Sequence, residues 1–271
     1  MRHMAVTVRQ SLSPSRAGDF MTCPLLFRFR TIDKLPEPPD PAAVRGTLVH
    51  AVLEDLFAEE ANARTIERAV DLLPAQWQRL RDDEPMIGEL FTAEQAADDV
   101  AWLASCSDLL KNYFSMEDPR TVEPESREQR VSHELESGLQ LRGIVDRIDV
   151  APDGRIRVVD YKTGRSPDPR FEARALFQMK FYALVIWRTR GVVPTLLQLM
   201  YFADSSFLRY EPTESDLLAT ERKLTALWTA IRQATERGEF VPRKSGLCGW
   251  CAHKSLCPEW GGTPPPMPVS D

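Results

Sequence analysis

The stretch Leu139–Gly164, LQLRGIVDRIDVAPDGRIRVVDYKTG, predicts two β-strands joined by a tight turn at residues 152–154. The first strand carries Asp146 within GIVDRID, and the second ends in VVDYK, which contains Asp160 and Lys162. Because side chains alternate along a strand with a period of two, Asp160 and Lys162 are expected on the same face. Their apolar neighbours indicate buried strands, in which a charged side chain needs a partner or a metal ion.

These residues have the chemistry of a metal-dependent hydrolase acting on phosphodiesters. The carboxylates of Asp146 and Asp160, with the backbone carbonyl of Tyr161, offer the hard oxygen ligands that Mg²⁺ and Mn²⁺ accept. The ammonium group of Lys162 would orient the attacking water and offset charge on the phosphate. The alternative is a structural role, in which two charges at strand ends form a salt bridge with Lys162.

The charge distribution permits a nucleic-acid partner without requiring one. The chain has 271 residues and a net charge of −6, and residues 51–130 contain 19 acidic against 8 basic residues. The remainder is close to neutral or mildly basic, with 7 basic against 4 acidic residues in 1–50. No apolar run reaches the roughly 20 residues of a membrane helix, and no signal peptide pattern is present. We therefore expect a cytoplasmic protein that has no membrane partner.

The order of the predicted elements indicates an α/β fold with a mixed sheet flanked by helices. Strands are predicted within 122–135, 139–164 and 196–211, and helices from Ser13, from Asp40, across about 61–120, over 171–188 and over 213–237. We expect one domain over residues 1–260, in which 61–120 is a helical elaboration. The proline-rich segment 261–271 is expected to be a disordered tail.

Five cysteines, an odd number, argue against a framework of disulfides in a cytoplasmic chain. Cys248, Cys251 and Cys257 form a Cys-x2-Cys-x5-Cys cluster in a loop region, 238–260, and Cys23 would supply a fourth thiolate. Zinc held by cysteines, with His253 as another nearby donor, is one reading of this pattern. Cys106 lies among apolar residues of a predicted helix and is expected to be a small buried hydrophobic residue.

GIVDRID followed by VVDYKTG resembles the core of the PD-(D/E)XK nuclease superfamily, which has a restriction-endonuclease-like fold. The resemblance is to its RecB-like exonuclease branch, which includes Cas4. It implies that His50, in RGTLVH, is a further metal ligand, although a histidine taken alone is more often a core or surface residue. It also implies that Gln178 and Tyr182, one turn apart in QMKFY, position DNA or Lys162. Asp160 stands where many members have glutamate.

The cysteines resemble the [4Fe-4S] site of the same branch, in which an N-terminal cysteine joins three C-terminal ones. This resemblance implies that Cys23, Cys248, Cys251 and Cys257 hold an iron–sulfur cluster that staples the two ends of the chain together. Zinc stays the alternative occupant of this site.

The resemblance implies a Mg²⁺- or Mn²⁺-dependent deoxyribonuclease, specifically an exonuclease of single-stranded ends in DNA repair or recombination. The chain contains no Walker motif, so it is not itself an ATP-driven helicase, and a helicase or another repair protein is an expected partner. We expect Arg16, Arg45, Thr163 and Arg165 to contact DNA. The alternatives are a non-catalytic DNA-binding or scaffold subunit and a nuclease that cleaves RNA.

Overall fold

The computed structural model describes residues 10–91 and 96–268. The chain divides into two compact units, and each is described here by itself. The terminal unit falls within Met1–Pro38, Ser132–Gly143 and Glu214–Asp271, and the central unit within Pro39–Val131 and Ile144–Thr213.

The terminal unit is built from short N-terminal helices and one long C-terminal helix. Ser13 caps the first helix through its Oγ, which accepts a hydrogen bond from the N–H of Arg16, and Pro14 suits the first turn. Pro24 starts a new helix directly after Cys23. The elements are β1 (Ser11–Leu12), α1 (Pro14–Thr22), α2 (Pro24–Phe27), a π-helical turn (Arg28–Ile32) and α7 (Glu214–Arg237), and α7 packs against α1.

The helices of the central unit form a block with its own apolar core. Asp40 caps the first of them by accepting a hydrogen bond of 3.2 Å from the N–H of Ala42. The apolar stripe of this helix is buried in one cluster with Tyr161 and Phe202; it consists of Val44, Leu48, Val52 and Leu56. The helices are α3 (Pro41–Leu56), α4 (Ile66–Asp83) and α5 (Ala96–Met116).

A mixed sheet forms the other half of the central unit and confirms the predicted fold class. β3 and β4 are antiparallel, β4 and β5 parallel, and β5 and β6 antiparallel, while β2 also pairs with β3. The strands are β2 (Ser126–Glu134), β3 (Gln140–Val150), β4 (Ile156–Lys162), β5 (Leu196–Tyr201) and β6 (Ser206–Tyr210), and α6 (Glu172–Arg190) packs on β4 and β5. In the terminal unit, the first residues of β3 pair in parallel with β1.

Side chains of β4 alternate between two environments. Val159 and Tyr161 belong to the apolar core formed with α3, α4 and α5. Asp160 lies on the opposite face, where Oδ1 accepts a hydrogen bond from Gln178 of α6. A buried acidic residue therefore stands on the α6 face of the sheet.

A buried arginine lies next to Asp146 in sequence and points to the helical block. The Arg147 side chain is 0% exposed, and its guanidinium donates hydrogen bonds of 2.6 and 3.0 Å to Glu117 and one of 2.9 Å to the hydroxyl of Tyr161. Asp149 lies 3.1 Å from its Nε. The charge is thus compensated by two carboxylates, as a buried cation requires.

Removing one of these carboxylates should destabilise the fold strongly. We expect Glu117→Ala to lower the free energy of unfolding by about 3 kcal/mol, because a buried guanidinium would lose its bidentate partner. Urea unfolding followed by circular dichroism measures the change. Arg155→Ala is the matched control, because it breaks a pair with Asp153 in which both side chains are exposed. Equal urea midpoints for the two variants would contradict the proposed importance of the buried network.

Within residues 10–91 and 96–268, no helix is long and apolar enough to cross a membrane. The single domain over 1–260 and the disordered tail stay predictions. Residues 269–271 of that tail lie outside the described residues, and the carbonyl of Pro265 accepts a hydrogen bond from Arg28.

Candidate active site

Neighbouring strands bring the predicted acidic residues together in the central unit. The backbone N–H of Tyr161 donates a hydrogen bond of 2.7 Å to Oδ2 of Asp146, which ties β4 to the carboxylate on β3. The Asp160 residue is 1% exposed, and its Oδ2 lies 2.6 Å from Nζ of Lys162. Asp160 and Lys162 therefore share one face of β4, beside Asp146.

Gln178 connects the acidic residue and the lysine through its side-chain amide. Its Nε2 donates hydrogen bonds to Oδ1 of Asp160 at 2.9 Å and to the hydroxyl of Tyr182 at 3.0 Å. Its Oε1 accepts a hydrogen bond of 3.0 Å from Nζ of Lys162. One amide thus fixes the orientation of three side chains, and the i,i+4 spacing on α6 makes this geometry available.

His50 reaches the same site from α3. Its Nε2 lies 2.9 Å from the carbonyl oxygen of Tyr161, and its Nδ1 lies 3.5 Å from Oδ2 of Asp146. Nδ1 also lies 3.8 Å from Oε1 of Glu128. The helix therefore supplies a nitrogen donor among carboxylate oxygens that come from β2 and β3.

Glu128 is the residue of this site that the sequence did not indicate. It lies on β2 and has a φ of 42°, which is uncommon for a residue other than glycine. Strained backbone of this kind costs free energy and is concentrated at functional sites. The strand SREQRVSHE is polar apart from Val131, so no alternation of apolar and polar residues marks one of its acidic residues as special.

The donor atoms present here fit a hard divalent cation. Ligand atoms of His50, Glu128 and Asp146 all lie within 4.8 Å of one another. Oδ2 of Asp160 is buried and, among the described residues, has no hydrogen-bond partner besides its ion pair with Lys162. An imidazole and several carboxylate oxygens suit Mn²⁺ or Mg²⁺, which prefer oxygen donors and tolerate a nitrogen.

Mutual repulsion and burial shift the protonation of these groups. Burial and the neighbouring charge of Asp160 raise the pKa of Asp146 to about 7. Burial lowers the pKa of His50, but the attraction of Asp146 and of Glu128 outweighs it, and the pKa rises to about 9. Burial likewise opposes the charge on Lys162, yet Asp160 raises its pKa, so this ammonium stays protonated at neutral pH.

Metal binding should become tighter as the pH rises from about 6 to 9. A cation must displace the protons of Asp146 and His50, whose pKa values are about 7 and about 9. The competition weakens with rising pH, so we expect the apparent Kd for Mn²⁺ to fall by about tenfold per pH unit where one proton is displaced. Calorimetric titrations at pH 6.5, 7.5 and 8.5 measure it, and an affinity that is independent of pH would contradict the assignment of these ligands.

The site opens into a cleft of about 560 Å³ in the central unit. His50, Glu128 and Lys162 line it, as does Thr163. Arg45 does not line the cleft, because it lies near Cys106 in the helical block. Arg165 is exposed just beyond the lysine. Of the four expected DNA contacts, Thr163 therefore has the most direct access to a bound substrate.

Arg16, the fourth expected DNA contact, belongs to the terminal unit. Its Nη1 donates hydrogen bonds to the carbonyl and the hydroxyl of Ser11, at 2.9 and 3.3 Å. Part of its hydrogen-bonding capacity is thus used within its own unit. Its role toward DNA stays a prediction.

The terminal unit brings four of the five cysteines together. Cys23, Cys248, Cys251 and Cys257 line one cavity of about 60 Å³. The backbone N–H groups of Arg243 and Ser245 donate hydrogen bonds of 3.3 Å to the sulfurs of Cys23 and Cys248. Burial is the main reason why the pKa of Cys251 is raised, and electrostatic repulsion from the sulfurs of the other three cysteines adds to it.

The fifth cysteine, Cys106, is 0% exposed in the central unit. Burial raises the pKa of its thiol to about 11, so this thiol is protonated at neutral pH. It therefore takes no part in the group of four.

Two curated phage proteins and one crystal structure are similar to this chain over most of its length. The "Gene 69 protein" of Mycobacterium phage L5 is 23% identical over 283 residues, covering 91% of this chain and 95% of that protein. The protein of the same name in Mycobacterium phage D29 is 26% identical over 275 residues, covering 91% and 96%. A crystal structure of a "Putative exonuclease" from Eubacterium rectale has the same fold, with a TM-score of 0.57 at 14% identity over 90% of this chain and 88% of that one.

The model of one family matches nearly the whole chain. It covers residues 11–258, which include both strands of the acidic site, the histidine of α3 and the four clustered cysteines. The chain belongs to the PD-(D/E)XK nuclease superfamily.

Proposed function

We propose that this nuclease is a Mg²⁺- or Mn²⁺-dependent deoxyribonuclease of the RecB-like branch that hydrolyses phosphodiester bonds. The observation that carries the proposal is the convergence of His50, Glu128 and Asp146 within 4.8 Å, next to the ion pair of Asp160 and Lys162. A divalent cation at this position would supply charge that polarises the scissile phosphate and activates water.

The chain's own residues divide the remaining work. Lys162 stays charged and held by Asp160 and Gln178, so it acts by electrostatic stabilisation and by orienting water. Gln178 holds Lys162 and the carboxylate of Asp160 in a fixed relative position. The hydroxyl of Tyr182 in turn fixes the orientation of the Gln178 amide. Preorganised contacts of this kind need no rearrangement when charge develops on the phosphate.

The finer parts of the proposal are a single-stranded DNA substrate, cleavage from its ends and a role in repair or recombination. The name of the structural relative from Eubacterium rectale supports the exonuclease class. The open cleft beside Lys162 is compatible with a flexible strand. A helicase or another repair protein as partner, and a cytoplasmic location, belong to this proposal too.

We also propose a [4Fe-4S] cluster at Cys23, Cys248, Cys251 and Cys257. Among the described residues, no three cysteine sulfurs lie within 4.8 Å of one another. A tetrahedral zinc ion with Zn–S bonds of about 2.3 Å requires cysteine sulfurs about 3.8 Å apart. The cysteine sulfurs around a cluster of four irons lie farther from one another.

The geometry of His253 also weakens the zinc alternative. It is 3% exposed, and its Nε2 lies 2.7 Å from Oε1 of Glu37. This nitrogen is thus directed at a carboxylate of the same unit. Iron and sulfide analysis of anaerobically purified protein, with an absorbance band near 400 nm, tests the cluster, and colourless protein with one bound zinc would exclude it.

Digestion of end-labelled substrates tests the nuclease proposal. Single- and double-stranded DNA and RNA, each with free and with blocked ends, would be incubated with Mn²⁺, Mg²⁺ or EDTA. We expect metal-dependent shortening of single-stranded DNA from free ends. Binding without cleavage under every condition would favour a non-catalytic scaffold subunit, and cleavage of RNA alone would replace the DNA assignment.

A further inference from the structure

The cysteine loop of the terminal unit carries a largely exposed aromatic residue, Trp250. Trp250 lies between Cys248 and Cys251, and it is 89% exposed. Burying an indole normally stabilises a fold, whereas an exposed indole leaves a flat aromatic face open to a ligand.

The loop around Trp250 is basic in an acidic protein. The 19 residues between Glu239 and Glu259 include Arg243, Lys244 and Lys254 but no aspartate or glutamate, while the chain as a whole has a charge of −6. Among the described residues, none of the three cations has a carboxylate within 4.0 Å. These positive charges are therefore available to a ligand.

Contacts within the unit hold these cations in place. The Nζ atoms of Lys244 and Lys254 lie 4.7 and 3.9 Å from the ring centroid of Trp260. The guanidinium of Arg243 donates a hydrogen bond of 2.6 Å to the carbonyl of Met21, next to Cys23. Two ammonium groups over one ring repel each other, and an anion between them would relieve that repulsion.

We propose that Trp250, with Lys244 and Lys254, forms a binding surface for single-stranded DNA, in which a base stacks on the indole and the lysines contact flanking phosphates. Trp250 shares its loop with Lys244 and Lys254, which contact the neighbouring ring of Trp260 and have no carboxylate partner among the described residues. An exposed aromatic face in a basic segment is the combination that binds single strands without sequence preference. A double helix hides the faces of its bases, so it offers nothing to the indole. The proposal deepens the nuclease function by assigning a substrate contact outside the acidic site.

Binding is measured in EDTA, so that it is independent of cleavage. Full-length, anaerobically purified protein would be titrated with fluorescent dT15 and with a strand of the same length and charge that has abasic sites. We expect the wild type to bind dT15 roughly tenfold more tightly than the abasic strand, since stacking requires a base. We expect Trp250→Ala to bind both strands equally and Trp250→Phe to keep most of the preference.

The salt dependence of DNA binding tests whether Lys244 and Lys254 contact phosphates. Each of Lys244→Ala and Lys254→Ala should reduce the slope of log K against log salt concentration by about 0.7. Lys111→Ala, which removes an exposed lysine that pairs with Asp108, is the matched control and should leave the slope unchanged. Metal content at the cysteines, measured for each variant, verifies that the loop is intact.

The proposal is overturned if Trp250→Ala retains the preference for dT15, or if the wild type shows none. A loss of nuclease function with this binding intact would leave the proposed surface valid, because the binding assay is run in EDTA without the free divalent cation that cleavage requires. Conversely, if cleavage is normal and Trp250→Ala binds DNA as the wild type does, the proposed binding surface is wrong and the proposed nuclease function is unaffected.

Discussion

Asp160→Asn should abolish most phosphodiester cleavage, lowering the rate by on the order of a thousandfold, while the protein stays folded. The substitution keeps the shape of the side chain and removes its charge. In the native site Oδ2 of Asp160 lies 2.6 Å from the ammonium of Lys162, and Oδ1 accepts a hydrogen bond of 2.9 Å from Gln178. A neutral amide would supply a weaker ligand for a cation and would loosen the lysine.

The measurement is single-turnover cleavage of end-labelled DNA at saturating Mn²⁺. Asp153→Asn is the matched control, since it makes the same chemical change in the exposed turn between β3 and β4. We expect this control to be fully active. Activity of Asp160→Asn close to that of wild type would remove the proposed mechanism, whereas equal loss in both variants would indicate a general defect of the preparation.

The placement of the acidic residues and the lysine on the β3–β4 hairpin could be predicted from the sequence, because local rules determine it. Alternation along a strand places Asp160 and Lys162 on one face whatever surrounds them. The N-termini of the helices capped by Ser13 and Asp40 could also be predicted, because a capping side chain and the proline that follows it act within a few residues. Gln178 and Tyr182 became candidates only through the family resemblance, since an amphipathic helix contains many polar pairs at this spacing.

Other features depend on contacts that no local pattern encodes. Arg147 looks like a surface charge within GIVDRID, yet its partner Glu117 comes from a distant segment and makes complete burial feasible. Glu128 lies in a largely polar strand, and no local sequence pattern indicates its positive φ. The exposure of Trp250 is likewise not encoded locally, because the hydrophobicity of an indole favours burial while the loop leaves the ring in solvent.

Glu128→Gln should raise the Mn²⁺ concentration needed for half-maximal activity by roughly 10- to 100-fold, with a smaller effect on the rate at saturating metal. Oε1 of Glu128 lies 3.8 Å from Nδ1 of His50, so the residue is placed to share a cation with the histidine and Asp146. In the described part of the chain, the hydrogen bonds and the ion pair of Lys162 and Gln178 are made with Asp160, Tyr182 and each other and not with Glu128, so the groups that act on the phosphate should keep their arrangement.

A second variant separates metal binding from backbone strain. Asparagine tolerates a positive φ better than most residues, so Glu128→Asn should fold at least as well as Glu128→Gln while it weakens metal binding to a similar degree. Glu134→Gln, at an exposed position of the same strand, is the control for a loss of charge on β2. Calorimetric Mn²⁺ titration of the three variants measures the metal affinity, and urea unfolding measures the free energy of unfolding independently. Native metal affinity in Glu128→Asn would show that the unusual backbone at this position serves the fold and not the metal site.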